Sequence, residues 1–275
     1  MPIHIDILNR KGARKVSDIP KKVLTLLNEG EIESVNLTEW LGINHITLVK
    51  HVLPKVGLSH KLESIVEEML KQNAESGMKA IRLTGELLNT AIEEENDQTK
   101  EEIIKKCATH PSDSVRCWAA FMNKNGNSSL EEKLAYIYPF ARDHHFGVRE
   151  ISWMSIREDI AQHLDESIEL LTEWAKEEDE NIRRFSMEVI RPRGVWARHI
   201  EDLKQNPSKA LPILNQLKSD PSKYVQDSLG NWLNDASKTQ PDFVMMLCEK
   251  WSNESDTKET SKIIKKAKRT IMKGN

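Results

Sequence analysis

Four times in this chain an acidic or His-Pro turn is followed by a β-branched aliphatic residue that opens an apolar-periodic helix. The segments are HPSDSVRCWAAFM from His110, ARDHHFGVREISWMSIR from Ala141, EDENIRRFSMEVIR from Glu178 and SDPSKYVQDSLGNWLND from Ser219. Their anchoring aliphatics, Val115, Val148, Ile182 and Val225, stand 33, 34 and 43 residues apart. Each anchor helix is preceded by another amphipathic stretch, such as SLEEKLAYIYPFARD or ESIELLTEWAKEED. A helix pair repeated at this period can bury its apolar stripe only against its neighbours, which is how helical solenoids are built. The 3.6-residue pattern recurs from Thr38 onward and no stretch of useful length alternates with the period of a strand. The expected fold is therefore all-α: a HEAT-like (ARM-type) helical-repeat solenoid with a concave groove.

Three regions are expected within one continuous domain. Residues 1–96 form a helical cap that hides the open apolar end of the array, 97–252 form the repeats, and 253–275 form a basic tail. The long last interval holds the insertion RPRGVWARHIEDLKQNP, where Pro192, Gly194 and Pro207 break helical periodicity; an irregular loop is expected there. Asp113 and Asp220 are expected to accept hydrogen bonds from helix-start amides.

Charge and cysteine content narrow the function. A formal net charge of −3 argues against a generic DNA-coating protein but permits a locally basic groove. Cys107, Cys117 and Cys248 form no CxxC or Cys/His cluster, and His144 and His145 read as a turn, so no metal and no cofactor are expected. No apolar run approaches the ~20 residues of a membrane helix and the first residues lack a signal-peptide core, so a cytoplasmic monomer with no membrane partner is expected.

Indexed from each anchor, positions 3, 4, 7 and 8 are mostly apolar and form the core face. Positions 2, 6 and 9 share a different face and carry Glu150, Met154 and Arg157, then Arg184, Glu188 and Arg191, then Asp227, Asn231 and Asn234. On a single helix such a face is ordinarily solvated, with pairs such as Arg184 and Glu188 four residues apart. Recurrence in three repeats points instead to one polar strip on the ligand-binding side.

Arginines suit phosphate, because the planar guanidinium donates paired hydrogen bonds to its oxygens. Arg157, Arg184 and Arg191 are candidates on the strip, and Arg193 and Arg198 flank Trp196 in the insertion, where an aromatic can stack on a base or wedge into a groove. Carboxylates in such a groove repel phosphate and need another role. An anionic Glu150, Glu188 or Asp227 stabilises the positive charge that a sugar develops when its glycosidic bond breaks. Trp153, one turn after Glu150, offers a surface for deoxyribose, although a lone helical Trp is more often core.

The segment KYVQDSLGNWLNDASKTQPDFV, with the Asn-Ile-Arg-Arg start of the preceding repeat, resembles the AlkC/AlkD superfamily of HEAT-like repeat alkylpurine DNA glycosylases. NLTEWLGINHITLVKHVLP and the RPRGVW insertion are more similar to the AlkC branch. The resemblance implies monofunctional hydrolytic excision of N3-methyladenine and related cationic lesions from double-stranded DNA. It places Arg184 at the position of a backbone-contacting arginine. Aligning Ser237-Lys238-Thr239 puts Asn231 where the AlkD branch has a pocket tryptophan, and VREISWMSIR lacks that branch's Trp-x-x-x-Asp helix. Glu150 and Glu188, with Asp227 third, are then the candidate catalytic carboxylates. The alternative is a non-catalytic scaffold that binds DNA or an acidic protein partner.

Overall fold

A computed structural model describes residues 5–122 and 128–273, and all regular structure among them is helical. In chain order the helices are α1 Ile5–Leu8, α2 Lys21–Asn28, α3 Leu37–Gly42, α4 His45–Val56, α5 Leu62–Lys71, α6 Gly77–Glu93, α7 Asp97–Ala108, α8 Asp113–Ala119 and α9 Leu130–Ala141. They continue with α10 Phe146–Gln162, α11 Leu164–Trp174, α12 Glu180–Glu188, α13 Glu201–Gln205, α14 Leu211–Gln216, α15 Lys223–Ala236, α16 Pro241–Glu254 and α17 Lys258–Ala267. The paired, HEAT-like helical repeat read from the sequence is thus what the chain adopts. It divides into two compact units, residues 5–122 with 143–152, and 128–142 with 153–273.

In the first unit, side-chain caps start the short helices. Asn36 accepts from the Glu39 amide and Asn44 from the Thr47 amide, each satisfying one of the donors that a helix start leaves open. Leu48, Val49, Val52 and Leu53 of α4 are fully buried. The core also holds polar groups, among them Glu39 and His45. Glu39 is enclosed and takes Arg10 at 2.7 Å. Trp118 Nε1 donates to His45 Nδ1 at 3.0 Å. Helices α6 and α8 meet at Gly85, where a Cβ would lie 2.7 Å from that of Phe121 and 2.8 Å from the Trp118 carbonyl.

A recurring device joins turn to helix. The residue after each anchor reaches back to the carbonyls five and six residues upstream: Arg116 to Pro111 and His110, Arg149 to His144 and Asp143, Arg183 to Glu178 and Glu177, Gln226 to Pro221 and Asp220. Two of the arginines also clamp the aspartate of the following turn, Arg116 to Asp143 at 2.8 Å and Arg183 to Asp220 at 2.6 Å. Those aspartates fold their own turns, accepting from the amides of His145 and Ser222, as Asp179 does from Asn181. Asp113 departs from the expectation that it would accept from its own helix-start amides. The residue preceding α8 is Ser112, and the Asp113 carboxylate accepts from the amide and hydroxyl of Ser34. Asp220 does accept a helix-start amide, while the N-cap of α15 is Ser222.

In the second unit the anchor helices α12 and α15 pack together, and α17 packs on α15. Val225, Leu229, Trp232 and Leu233 of α15 are fully buried, each contributing about 1.5–3 kcal/mol. The stretch expected as a basic tail includes α17, which buries Thr260, Ile263 and Ala267. It approaches α15 closely at Gly230, where a Cβ would meet the Lys266 Cβ at 2.7 Å. Lys266 then reaches Asp227 at 2.8 Å. The apolar spacing of α17 was present in the sequence, but seven cations over residues 258–273 obscured it.

Candidate functional site

The first half of the insertion, residues 191–200, is an irregular loop, as its Pro and Gly content implied, whereas the second half forms α13; the loop is not slack. The Ile200 amide donates to the Pro192 carbonyl at 3.1 Å and closes its base. From α10, Arg157 grips it: Nη1 donates to the Val189 carbonyl and Nη2 to that of Arg191, both at 2.5 Å, and Nε to that of Arg198 at 3.1 Å. Arg157 is only 3% exposed, and burial brings its pKa down to about 10 against the opposing pull of Glu188. The arginine expected to contact phosphate therefore spends all three nitrogens on the backbone that follows α12.

At the tip the loop presents Trp196, 58% exposed and with φ +56°. A non-glycine residue in the left-handed region costs about 1–3 kcal/mol and persists where surrounding contacts enforce it. Here Arg157 and the Ile200–Pro192 bond supply them. Arg198 is exposed, and Arg193 is half-buried with its Nε enclosed and without a hydrogen-bond partner among the described residues.

At the foot of the loop stands Glu188, 4% exposed, with Arg191 at 3.5 Å and Arg184 at 3.8 Å. Both arginines also cross to α15. Arg184 donates to Ser228 Oγ at 2.9 Å and lies 4.4 Å from the centroid of the Tyr224 ring, while Arg191 pairs with Asp235 at 2.7 Å. Two helices are thus stitched by a chain of charges with Glu188 at its centre, a charge-assisted network that fixes the guanidinium positions.

Other candidates lie in different surroundings. Trp153 is fully buried beneath Arg157, whose guanidinium carbon is 5.8 Å from the indole centroid. Asp227 is held by Lys223 at 2.7 Å and Lys266 at 2.8 Å, and their hydrogen bonds keep its carboxyl below the ordinary carboxylate range. Asn231 is half-buried on α15. Glu150 is half-buried on α10 and belongs to the first unit, whereas Glu188, Arg184 and the loop belong to the second. Tyr224, Ser228 and Asp235 went unnoticed in the sequence. Asp235 had a signal, since it lies one position past the strip register on the helix following Arg191.

The comparisons with known proteins bear on this same region. Residues 150–267 match the family model described as DNA alkylation repair enzyme. That segment carries α12, the loop, α15 and α17, and supports the AlkC/AlkD resemblance. A curated relative, the uncharacterized protein YhaZ of Bacillus subtilis (strain 168), is 34% identical over 155 residues, which span 56% of this chain and 41% of that protein. Among solved structures, the Pseudomonas fluorescens alkylpurine DNA glycosylase AlkC bound to DNA containing an abasic site analog is similar with TM-score 0.68 and 22% identity, covering 83% of this chain and 62% of that one. AlkD2 from Streptococcus mutans is similar with TM-score 0.57 and 23% identity, covering 75% and 97%. At these identities the structures establish the shared helical-repeat fold.

Proposed function

We propose that this chain is a DNA glycosylase that excises cationic alkylated bases, of the N3-methyladenine type, from duplex DNA. The observation that carries the reading is Trp196: an indole held in solvent at the cost of a left-handed backbone, on a loop with a buried arginine as its clamp and Arg193 and Arg198 beside it. An exposed aromatic between guanidinium groups suits a duplex, with the cations on phosphate and the ring against bases or the groove floor. The match of residues 150–267 to alkylation repair enzymes supports the same substrate class.

The chemistry follows from the lesion. An alkylated purine carries positive charge, so as the C1′–N bond breaks its electron pair neutralises the departing base, and the sugar takes up oxocarbenium character. Water adds to C1′ and loses a proton, leaving an abasic site. A carboxylate near the sugar stabilises the transient cation electrostatically, and each 1.36 kcal/mol of such stabilisation is about tenfold in rate. Glu150, half-buried, is the candidate for that contact. Glu188, enclosed by Arg184 and Arg191, fixes those two guanidinium groups and is the second candidate; Asp227, neutralised by two lysines, is the third. Arg157 acts through the loop, and Trp153 packs beneath it.

Incubation with methylated duplex DNA tests the reading by release of free base without strand cleavage. Asn231, in the place of a pocket tryptophan, favours a second reading, a scaffold that binds DNA without catalysis. Salt-sensitive duplex binding with no base released from any methylated substrate would select it.

A further inference from the structure

Helix α17 turns a one-sided face to solvent. Lys258, Lys262 and Lys265 are exposed and fall within an arc of about 60°, and Arg269 follows, also exposed, in the turn after the helix. The opposite face is committed to the core through Thr260, Ile263 and Ala267, and Lys266, at the edge between them, is committed to Asp227. Residues 258–273 hold seven Lys/Arg and one acid, a net of +6 in a chain of net −3, so the remainder carries −9.

Among the described residues no carboxylate answers these four cations. In the same unit Lys176, Lys204, Lys209, Lys218, Lys238 and Lys250 each take an acidic partner. Lys258, Lys262, Lys265 and Arg269 have no ion pair or side-chain hydrogen bond among the described residues. Four exposed cations in one row, none with a carboxylate partner among the described residues, form an uncompensated cationic ridge. Helix α17 packs on α15, which packs in turn on α12, the helix that carries Arg184.

From this we infer that the α17 ridge is a second phosphate-binding surface, which holds the duplex backbone independently of base identity. The inference rests on the DNA reading above and extends it to residues outside the Trp196 loop. Lys258 to Lys265 spans about 10 Å along the helix, so three ammonium groups follow one another at intervals of about 5 Å. Such a row suits a polyanion with one charge per ~1.7 Å of its axis. An anionic membrane is disfavoured as occupant, because the apolar side of α17 that would enter a bilayer is already packed against the protein.

The test is the salt dependence of binding to an undamaged duplex, for the wild type and for the variant Lys258→Gln/Lys262→Gln/Lys265→Gln/Arg269→Gln. Each phosphate contact contributes about 0.9 to the slope of log affinity against log salt, so the quadruple variant loses about 2–4 from the slope and about tenfold or more in affinity at low salt. Its thermal midpoint stays near wild type, since all four side chains are exposed, and replacing the three lysines by arginine restores the slope. An unchanged slope in a folded quadruple variant overturns the inference while leaving the glycosylase reading intact. So does a loss confined to binding of phosphatidylserine vesicles. A wild type that neither binds duplex DNA in a salt-sensitive way nor releases methylated base sinks the functional reading itself.

Discussion

Arg157 and Gly194 are in direct contact: a Cβ at residue 194 would lie 3.0 Å from the guanidinium carbon and 3.0 Å from Nη2. The glycine is thus the space that lets the guanidinium lie inside the loop and reach three carbonyls. Gly194→Ala displaces the guanidinium by a few tenths of an ångström and destabilises by about 1–3 kcal/mol, the usual cost of overpacking. Arg157→Met strands three carbonyls and costs about 3 kcal/mol or more. In the Arg157→Met background, Gly194→Ala becomes nearly neutral. Urea unfolding of the four proteins reads this coupling; additive effects would show that the contact does not organise the loop.

The second contact, Gly230 with Lys266, tests whether α17 is an integral part of the fold. Alanine is worth about 1 kcal/mol more than glycine inside a helix, so Gly230→Ala on an isolated α15 would be stabilising. Here the new Cβ would lie 2.7 Å from the Cβ of Lys266, near enough to the backbone of α17 that the helix itself must shift. We expect net destabilisation by about 1–2 kcal/mol and faster amide exchange in α17. A gain in stability would show that α17 yields freely.

Acid stability carries a signature of His45. Burial lowers its pKa to about 3, and Trp118, which can only donate, fixes Nδ1 as an acceptor. The folded pKa lies below the unfolded value of about 6.5, so its contribution is present above pH 6.5 and is lost progressively as the pH falls toward 3. His110, lowered to about 4 chiefly by burial, adds a second group of the same sign. Between pH 6 and 4 the stability of His45→Gln should fall less steeply than that of wild type, by about 1.4 kcal/mol per pH unit. Equal slopes in chemical denaturation would mean that His45 does not remain neutral in the folded protein.

The period of the anchors was enough to read the helical repeats and the helices that carry Arg184, Glu188 and Asp227, because buried aliphatics must recur wherever one helix pair packs on the next. Side-chain destinations were not legible from that period. Arg157 and Arg191 occupy equivalent strip positions, yet one turns into the loop while the other crosses to Asp235. A long flexible side chain chooses among carbonyls, rings and carboxylates that other segments supply. The device of Arg116, Arg149, Arg183 and Gln226 was visible as a polar residue after every anchor, but its partners are carbonyls, which a sequence does not display. The loop's irregularity was legible from proline and glycine; the clamp that makes it rigid came from a helix some thirty residues earlier.

The central claim is that a carboxylate assists departure of a cationic base, and it is tested most directly by single-turnover base release from methylated duplex DNA at saturating protein. Wild type is expected to release base measurably, Glu150→Gln (with duplex affinity retained) and Glu188→Gln to release it about a hundredfold or more slowly, and no strand cleavage to accompany release. Full release rates in both variants would contradict it.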